Sequence, residues 1–255
     1  MSLHLVKDGL RAMADRLVAP PFKAWLTRNY SDKVITGPFR GMHYVEKSLC
    51  STYFPKILGT FELELQDTLQ RLAKRDFKNI VNVGAAEGYY AVGLALYFPQ
   101  ARVTAFEIEP AGQELVKKMA LNNGVSERIS VHGRCDKPDL VEALQGRDNV
   151  LVVADVEGFE AVLIDTESIP DLKRAYLVCE THDAYVPGVT RKLLEHLKTT
   201  HRVEEIPALR RKASDMPVKL PWWLSMWGSF VPRWALLERR AAGISWIVAE
   251  PLAPK

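Results

Sequence analysis

The sequence predicts an α/β fold in which a mostly parallel sheet carries helices on both faces. Three observations lead to this prediction. Short apolar runs that suit buried strands alternate with helical patterns along most of the chain. The run 79–83 leads through a glycine turn into an apolar helix over 89–96, which is typical of a nucleotide-binding βα unit. The run 151–154 ends in three carboxylates, and a parallel strand would place them at the ligand crevice.

Composition indicates one large domain with additions, or a domain with a small cap. The chain has 255 residues, of which 47% are hydrophobic and 25% charged, and its net charge of +3 is too small to indicate nucleic acid by itself. Three scattered cysteines without a C-x-x-C pair argue against disulfides or zinc and suit a reducing cytoplasm. No apolar run approaches the roughly 20 residues of a membrane span, and the charged N-terminus lacks a signal-peptide core.

Residues 1–75 are predicted to form an N-terminal helical cap, and residues 76–255 the ligand-binding domain. Apolar residues at helical spacing predict a helix over 3–18 that Pro20 and Pro21 end. This helix could dock on the domain, on a second copy of the chain in a homodimer, or on a membrane surface. Residues 22–58 suggest loops and short strands. A helix ending at Leu72 follows, with Thr60 as a candidate cap.

The spacing of the glycines in the turn distinguishes between two classes of ligand. Its run G-A-A-E-G has no glycine at position 86, which disfavours a dinucleotide because pyrophosphate needs the closest backbone approach. The pattern N-x-G-x-x-x-G instead resembles motif I of the class I S-adenosylmethionine (SAM) methyltransferases, which cradles an amino-acid tail. Asn82 stands where that family usually has an acid. The resemblance implies SAM contacts from five residues of this segment: Asn82, Gly84, Ala85, Glu87 and Gly88.

An acidic residue closes the second predicted strand, 102–106. Glu107 lies roughly 20 residues after the glycine turn, where it can accept hydrogen bonds from both ribose hydroxyls. Glu109 is the second candidate for this role, and Ile108 between them completes this part of the predicted cofactor site. Asp136 follows the third strand, 129–133, where the methyltransferase fold usually contacts the adenine.

Three segments are similar to the FkbM-type methyltransferase family. They are G-T-F-E-L-E before motif I, D-V-E-G-F-E from Asp155, and E-T-H from Glu180. The resemblance covers roughly residues 59–206. It implies a Rossmann-like class I methyltransferase fold with seven strands in the order 3-2-1-4-5-7-6, the last two forming a hairpin. It also implies that Glu62 or Glu64 faces the cofactor pocket, and that the acceptor is a hydroxylated small molecule such as a sugar.

The ends of the fourth and fifth strands supply the candidate catalytic residues, which are Asp155, Glu157, Glu180 and His182. Asp155 is the first of these and also a candidate cofactor contact, whereas Glu160 is expected to begin the next helix. His182 could take a proton from a substrate hydroxyl. Alternatively, oxygen ligands could hold Mg²⁺, and the candidates are Asp155, Glu180 and Asp183. Either arrangement would serve O-methyl transfer.

An insertion over about 207–242, rich in Arg and Trp, separates the sixth and seventh strands, 201–206 and 243–249. Its length indicates a lid, a subunit interface or a membrane contact.

The basic insertion leaves an RNA 2′-hydroxyl methyltransferase open as an alternative, although the N-P-P-Y motif of amino methylation and the Pro-Cys nucleophile of cytosine methylation are absent. An inactive SAM-binding scaffold, consistent with Asn82 in motif I, is the third hypothesis.

Overall fold

A seven-stranded sheet is the framework of the structure, a computed structural model that describes residues 12–45, 53–238, 240–241 and 243–252. The strand order is β3-β2-β1-β4-β5-β7-β6, as predicted. Strands β1 to β5 run parallel, and β7 pairs antiparallel with both β5 and β6. The strands are β1 Asn79–Val83, β2 Arg102–Phe106, β3 Ile129–His132, β4 Val150–Ala154, β5 Tyr176–His182, β6 His201–Pro207 and β7 Ile244–Pro251.

Helices connect these strands. The first is described over residues 12–17 and is called α1. The others are α2 Ala19–Tyr30, α3 Tyr53–Leu58, α4 Gln66–Leu72, α5 Tyr89–Tyr97, α6 Pro110–Asn122, α7 Lys137–Leu144, α8 Glu160–Leu163, α9 Val189–Leu197, α10 Trp222–Ser225 and α11 Phe230–Ala235. The central strands β1 and β4 are almost wholly buried, because parallel strands covered on both faces meet no water, and β4 is wholly apolar. The edge strand β6 alternates between buried and exposed positions over part of its length.

Strand β5 extends further than the sequence predicts. Glu180 and His182 were expected just after a strand over 175–179, but both belong to β5. The reason is the antiparallel partner, since pairing with β7 continues to the register position of His182 opposite Ile244. The same register places Glu180 opposite Trp246.

The N-terminal region contains more helix than the sequence predicts. The described helix α1 ends at Leu17, just before Pro20 and Pro21 as predicted, but these prolines do not begin a loop. They lie in the first turn of α2, where a missing N–H costs nothing. Much of the stretch 22–58 is helical, in α2 and α3, with a β-bridge between Lys33 and His43. Thr60 lies before the helical turns and its hydroxyl donates to the Pro55 carbonyl rather than capping a helix. Residues 3–11 of the predicted first helix lie outside the described residues, as does Cys50.

The chain divides into two compact units. The helical unit contains residues 1–61 and 210–239, and the sheet unit contains residues 62–209 and 240–255. In the helical unit, Phe22 and Trp234 have ring centroids 6.2 Å apart and Trp234 packs on Phe54 at 4.9 Å. The N-terminal segment and the insertion between β6 and β7 therefore share one core. A domain boundary at residue 75 stays a prediction.

Candidate active site

The turn after β1 requires glycine at its first position. Gly84 has φ of 78°, and a Cβ built there would lie 1.8 Å from the Asp155 carbonyl oxygen. The N–H groups of Gly84 and Ala85 both donate to the Phe106 carbonyl, at 3.0 and 2.9 Å. The turn is thus fixed between β2 and the end of β4. Further along, Gly88 begins α5 with φ of 98°.

Glu107 is held against this turn by backbone groups. Its Oε2 accepts from the Ala86 N–H at 2.6 Å, and its Oε1 accepts from the Glu109 N–H at 2.8 Å. The carboxylate is therefore buried and oriented before any ligand arrives. Glu109, the second candidate for the ribose contact, is exposed and supplies its backbone N–H to Glu107.

Gly112 is a residue of this site that the sequence prediction missed. A Cβ at this position would lie 2.7 Å from Glu107 Cγ and 2.9 Å from the Ala86 carbonyl oxygen. Glycine at the start of α6 therefore leaves the room that the Glu107 side chain occupies. The available signal was a glycine in the first turn of a predicted helix, where it has no other evident purpose.

The remaining predicted cofactor residues have different surroundings. Asn82 is buried, with its amide donating to the Val153 carbonyl and its Oδ1 without a hydrogen-bond partner among the described residues. Glu87 is fully buried, whereas Ile108 is exposed beside Glu107. Asp136 caps α7 in a capping box with Asp139 and also accepts from Arg134 at 2.9 Å. The carboxylate of Asp136 thus already has a structural role.

His182 is the centre of the second cluster. Its imidazole is buried, and Nδ1 lies 2.5 Å from Glu160 Oε1. Nε2 lies 3.5 Å from Asp155 Oδ1 and 3.6 Å from Glu180 Oε2. The ring stacks on Tyr185 with centroids 5.5 Å apart. The structure thus brings together His182, Asp155 and Glu180, as the sequence predicts from neighbouring strand ends.

Glu160 is the second residue that the sequence prediction missed. It begins α8 as expected, but its side chain is fully buried rather than placed at the helix end for the dipole. Oε1 accepts from the Gly158 N–H at 2.9 Å as well as facing His182, and Oε2 is buried without a partner among the described residues. A signal was present, because Glu160 is the last acid of the D-V-E-G-F-E segment.

Arg240 ties several acids of this cluster together. Its guanidinium donates to Glu64 at 2.5 Å and to Glu180. Nearby, the Tyr90 hydroxyl donates to Glu62, which is buried with φ of 50°. Arg240 lies at the end of the insertion and is not among the predicted site residues. Its position opposite acids distant in sequence could not be read from local patterns.

The ionisation of the cluster follows from burial and crowding. Burial raises the pKa of the Asp155 carboxyl, and the neighbouring charges of Glu180 and Glu62 raise it further. Burial lowers the pKa of His182, but the hydrogen bond to Glu160 and the charge of Glu180 outweigh this, so the pKa is raised. The site therefore favours protons on both groups to a higher pH than in water.

A metal ion could be held jointly by Asp155, Glu157 and His182. Each of the three residues places one ligand atom within 4.8 Å of those of the other two. Asp183, a candidate metal ligand, uses its carboxylate elsewhere: it accepts from the Gly188 N–H at 2.7 Å and from Thr190 at the start of α9. Glu180 is paired with Arg240. The donor atoms that lie close enough for one cation thus differ from the predicted set.

Solved structures that are similar to this fold include methyltransferases. The O-methyltransferase TomG from Streptomyces achromogenes, solved with SAM, is 17% identical with a TM-score of 0.50, over 76% of this chain and 81% of that chain. The chain has the class I methyltransferase fold. A human methyltransferase 10 domain containing protein is 14% identical with a TM-score of 0.51 over 100% of both chains. At such identities the likeness to these structures shows the fold alone.

One curated relative matches by sequence. The release factor glutamine methyltransferase of Chlorobaculum tepidum is 38% identical over 73 residues, which is 27% of this chain. The match spans 25% of that protein's length. No family model matches the chain. None of the helices in the described part of the chain has the length and apolar character needed to cross a bilayer.

Proposed function

We propose that this chain is a SAM-dependent methyltransferase of the FkbM type that methylates a hydroxyl on a small or sugar-containing acceptor. The observation that carries the proposal is the oriented Glu107 carboxylate beside the glycine turn of a class I methyltransferase fold. Support for SAM as the cofactor also comes from a structural neighbour solved with SAM.

The residues around the turn fit this cofactor. A carboxylate offers about four lone-pair sites, and backbone N–H groups use one on each oxygen of Glu107. One site per oxygen is left for a ribose hydroxyl, as a vicinal diol requires. Gly84 and Gly88 let the turn that would hold the amino-acid tail pack closely on the protein, because a Cβ would meet the Asp155 carbonyl at Gly84 and Val116 at Gly88. Asn82 offers an amide in place of the usual acid beneath this turn.

The acceptor would lie at the His182 cluster. SAM supplies an activated methyl group on a sulfonium, so the chain itself must align the acceptor oxygen and remove its proton. With Glu160 accepting the Nδ1 proton, the lone pair of the neutral imidazole is on Nε2. Nε2 would take the proton of the acceptor hydroxyl, which leaves the oxygen free to accept the methyl group. Glu180 then stabilises the imidazolium, since its carboxylate lies 3.6 Å from Nε2 and its charge raises the pKa of His182.

A divalent cation such as Mg²⁺ is the second way to activate the hydroxyl. Asp155 and Glu157 are the oxygen donors that lie close enough to His182 to share one ion. Arg240 already neutralises Glu180 and Glu64, so part of the acidic charge is balanced without a metal. Retained turnover after exhaustive chelation would favour His182 as the base, whereas loss restored by Mg²⁺ would favour the cation.

Cofactor binding is tested first. Calorimetric titration with SAM, S-adenosylhomocysteine and NAD should show binding of the two sulfur ligands and none of NAD. Replacing Glu107 by Ala should weaken SAM binding roughly 100-fold, because two hydrogen bonds to a charged group are lost. Glu109→Ala is the matched control and should bind normally, since only its backbone N–H takes part. Binding of NAD alone would contradict the proposal.

Methyl transfer is tested second, with labelled SAM and pools of hydroxylated acceptors. Asp155→Ala should abolish transfer while SAM binding persists, because in the proposed site its carboxylate would lie beside the acceptor. Asp148→Ala removes a carboxylate whose side chain is 88% exposed and serves as the control. Full activity in Asp155→Ala would contradict the site assignment. Tight SAM binding without transfer to any pool would point to the inactive scaffold, and transfer to RNA to the 2′-hydroxyl alternative.

A further inference from the structure

The charges of the chain are segregated between its two units. The described part of the helical unit, residues 12–45, 53–61 and 210–238, has eleven Lys and Arg against four Asp and Glu. The described part of the sheet unit has eighteen against twenty-five. A chain with a small net charge thus carries a strongly basic unit, which attracts a polyanionic partner.

Most basic residues of the helical unit are exposed, and most of its acidic residues are not. Asp32 and Asp215 are half-buried, and Glu238 is buried against Arg211. The exposed acid is Asp15, whose carboxylate accepts from the Trp234 indole. Eight basic residues of this unit are exposed: Arg16, Arg28, Lys33, Arg40, Arg210, Lys212, Lys219 and Arg233.

Large apolar side chains project from the same unit. In the turn around α10, Leu224 is buried, while Trp222 and Met226 are 76% and 77% exposed. Residues two positions from Leu224 lie about 200° around a helix axis, on the opposite side. In α1, Ala14 is buried and Leu17 is 60% exposed. Trp227 and Met13 are exposed as well.

The two apolar segments are tied to each other. Asp15 of α1 accepts a hydrogen bond from Trp234 of α11 at 2.9 Å, and Trp227, just before α11, packs on Phe230 at 6.1 Å. The exposed apolar residues of α1 and of the insertion therefore belong to one packed body. We call them the apolar set: Met13, Leu17, Trp222, Met226 and Trp227.

We infer that the helical unit docks on the surface of an anionic phospholipid bilayer, with the apolar set entering the interfacial layer. Tryptophan favours that layer, and long aliphatic side chains enter the acyl boundary beneath it. The exposed Lys and Arg residues of the same unit are attracted to anionic headgroups. Nucleic acid would explain the charge and aromatic residues, but it offers no apolar phase for Leu17, Met13 and Met226.

Vesicle co-sedimentation of the full chain tests the inference. Vesicles of phosphatidylcholine and phosphatidylglycerol in about equal parts should retain the protein. Vesicles of phosphatidylcholine alone should retain at least roughly tenfold less protein. Retention should fall steeply at about 1 M salt, where the Debye length is about 3 Å. The double variant Trp222→Ala, Met226→Ala should lose binding about tenfold or more, because both side chains are exposed and their removal spares the core.

Matched controls separate docking from general effects. Leu121→Ala in the sheet unit removes a side chain that is 71% exposed and should bind vesicles normally. Lys219→Glu with Arg233→Glu should abolish binding, whereas the same reversal at exposed Lys118 and Arg191 of the sheet unit should not. If anionic vesicles retained the Trp222→Ala, Met226→Ala variant as well as they retain the parent chain, the inference would be overturned. Retention on RNA with none on vesicles would also overturn it, as would a change of oligomeric state in that variant with vesicle binding intact.

Discussion

At the scale of single residues, the candidate active site depends on side chains that hold other side chains in place. Glu107 is positioned by two backbone N–H groups and by the space that Gly112 leaves. His182 is positioned by Glu160 and by the ring of Tyr185. Pre-oriented groups of this kind reduce the entropy that binding and reaction must supply.

The pH dependence of methyl transfer should report the Glu160–His182 pair. The pKa of His182 is raised, so its neutral, proton-accepting form appears only at higher pH. Glu160→Gln keeps a hydrogen-bond acceptor for Nδ1 but removes the charge, and should therefore lower this pKa. We expect the acidic limb of the pH–rate profile to move to lower pH, with a smaller maximal rate.

Titration of the His182 ring by NMR would give the same pKa independently of turnover. Glu195→Gln, a neutralised exposed acid on α9, provides the control and should leave both measurements unchanged. An acidic limb that stays in place in Glu160→Gln, with the pKa of His182 also unchanged, would show that Glu160 has no electrostatic role. A purely structural role would lower the rate without moving the limb.

At the scale of elements, the site is formed where the carboxyl ends of β1, β2, β4 and β5 meet. Three non-glycine residues with positive φ lie here: Glu62, Ala86 and Glu157. Such conformations are costly and persist when surrounding contacts impose them. For Ala86, the hydrogen bond from its N–H to Glu107 is one such contact.

Gly84→Ala tests how strictly the first turn is imposed. A Cβ would lie 1.8 Å from the Asp155 carbonyl, so the β1 turn or the end of β4 must shift. We expect a loss of about 2 kcal/mol or more in unfolding free energy, as for other strained backbone sites. Gly133→Ala, where a Cβ meets nothing within 4 Å, should change stability little. Equal thermal midpoints of these two variants would contradict the described turn.

At the scale of the whole molecule, two compact units of opposite charge are built from interleaved parts of the chain. The sheet unit gathers carboxylates around His182 with Arg240 as a partner cation, and the helical unit exposes bases. Crowded carboxylates oppose folding, because each raises the free energy of its ionised neighbours. The site is therefore expected to reduce global stability.

The Asp155→Asn variant should reveal the loss of folding stability that the crowded carboxylates cause. Because the pKa of Asp155 is raised on folding, its contribution to stability is present below the ordinary carboxyl pKa and is lost as pH rises through the raised value. Asn cannot ionise, so thermal unfolding of this variant should occur at a higher temperature at neutral pH and at a similar temperature in acid. Methyl transfer should fall at the same time. A variant less stable than the parent at neutral pH would contradict the described cluster.

The sequence by itself determined the strands, the glycine turn, Glu107 and the gathering of Asp155, Glu180 and His182, whereas the strand order was implied by the resemblance to class I methyltransferases. Hydrophobic periodicity and strand-end placement are local properties that any α/β sheet converts into position. Tertiary structure decided the roles of Glu160, Gly112 and Arg240, and it joined α1 to the insertion. These depend on burial and on contacts between distant segments, such as Arg240 with Glu64, which no local pattern encodes.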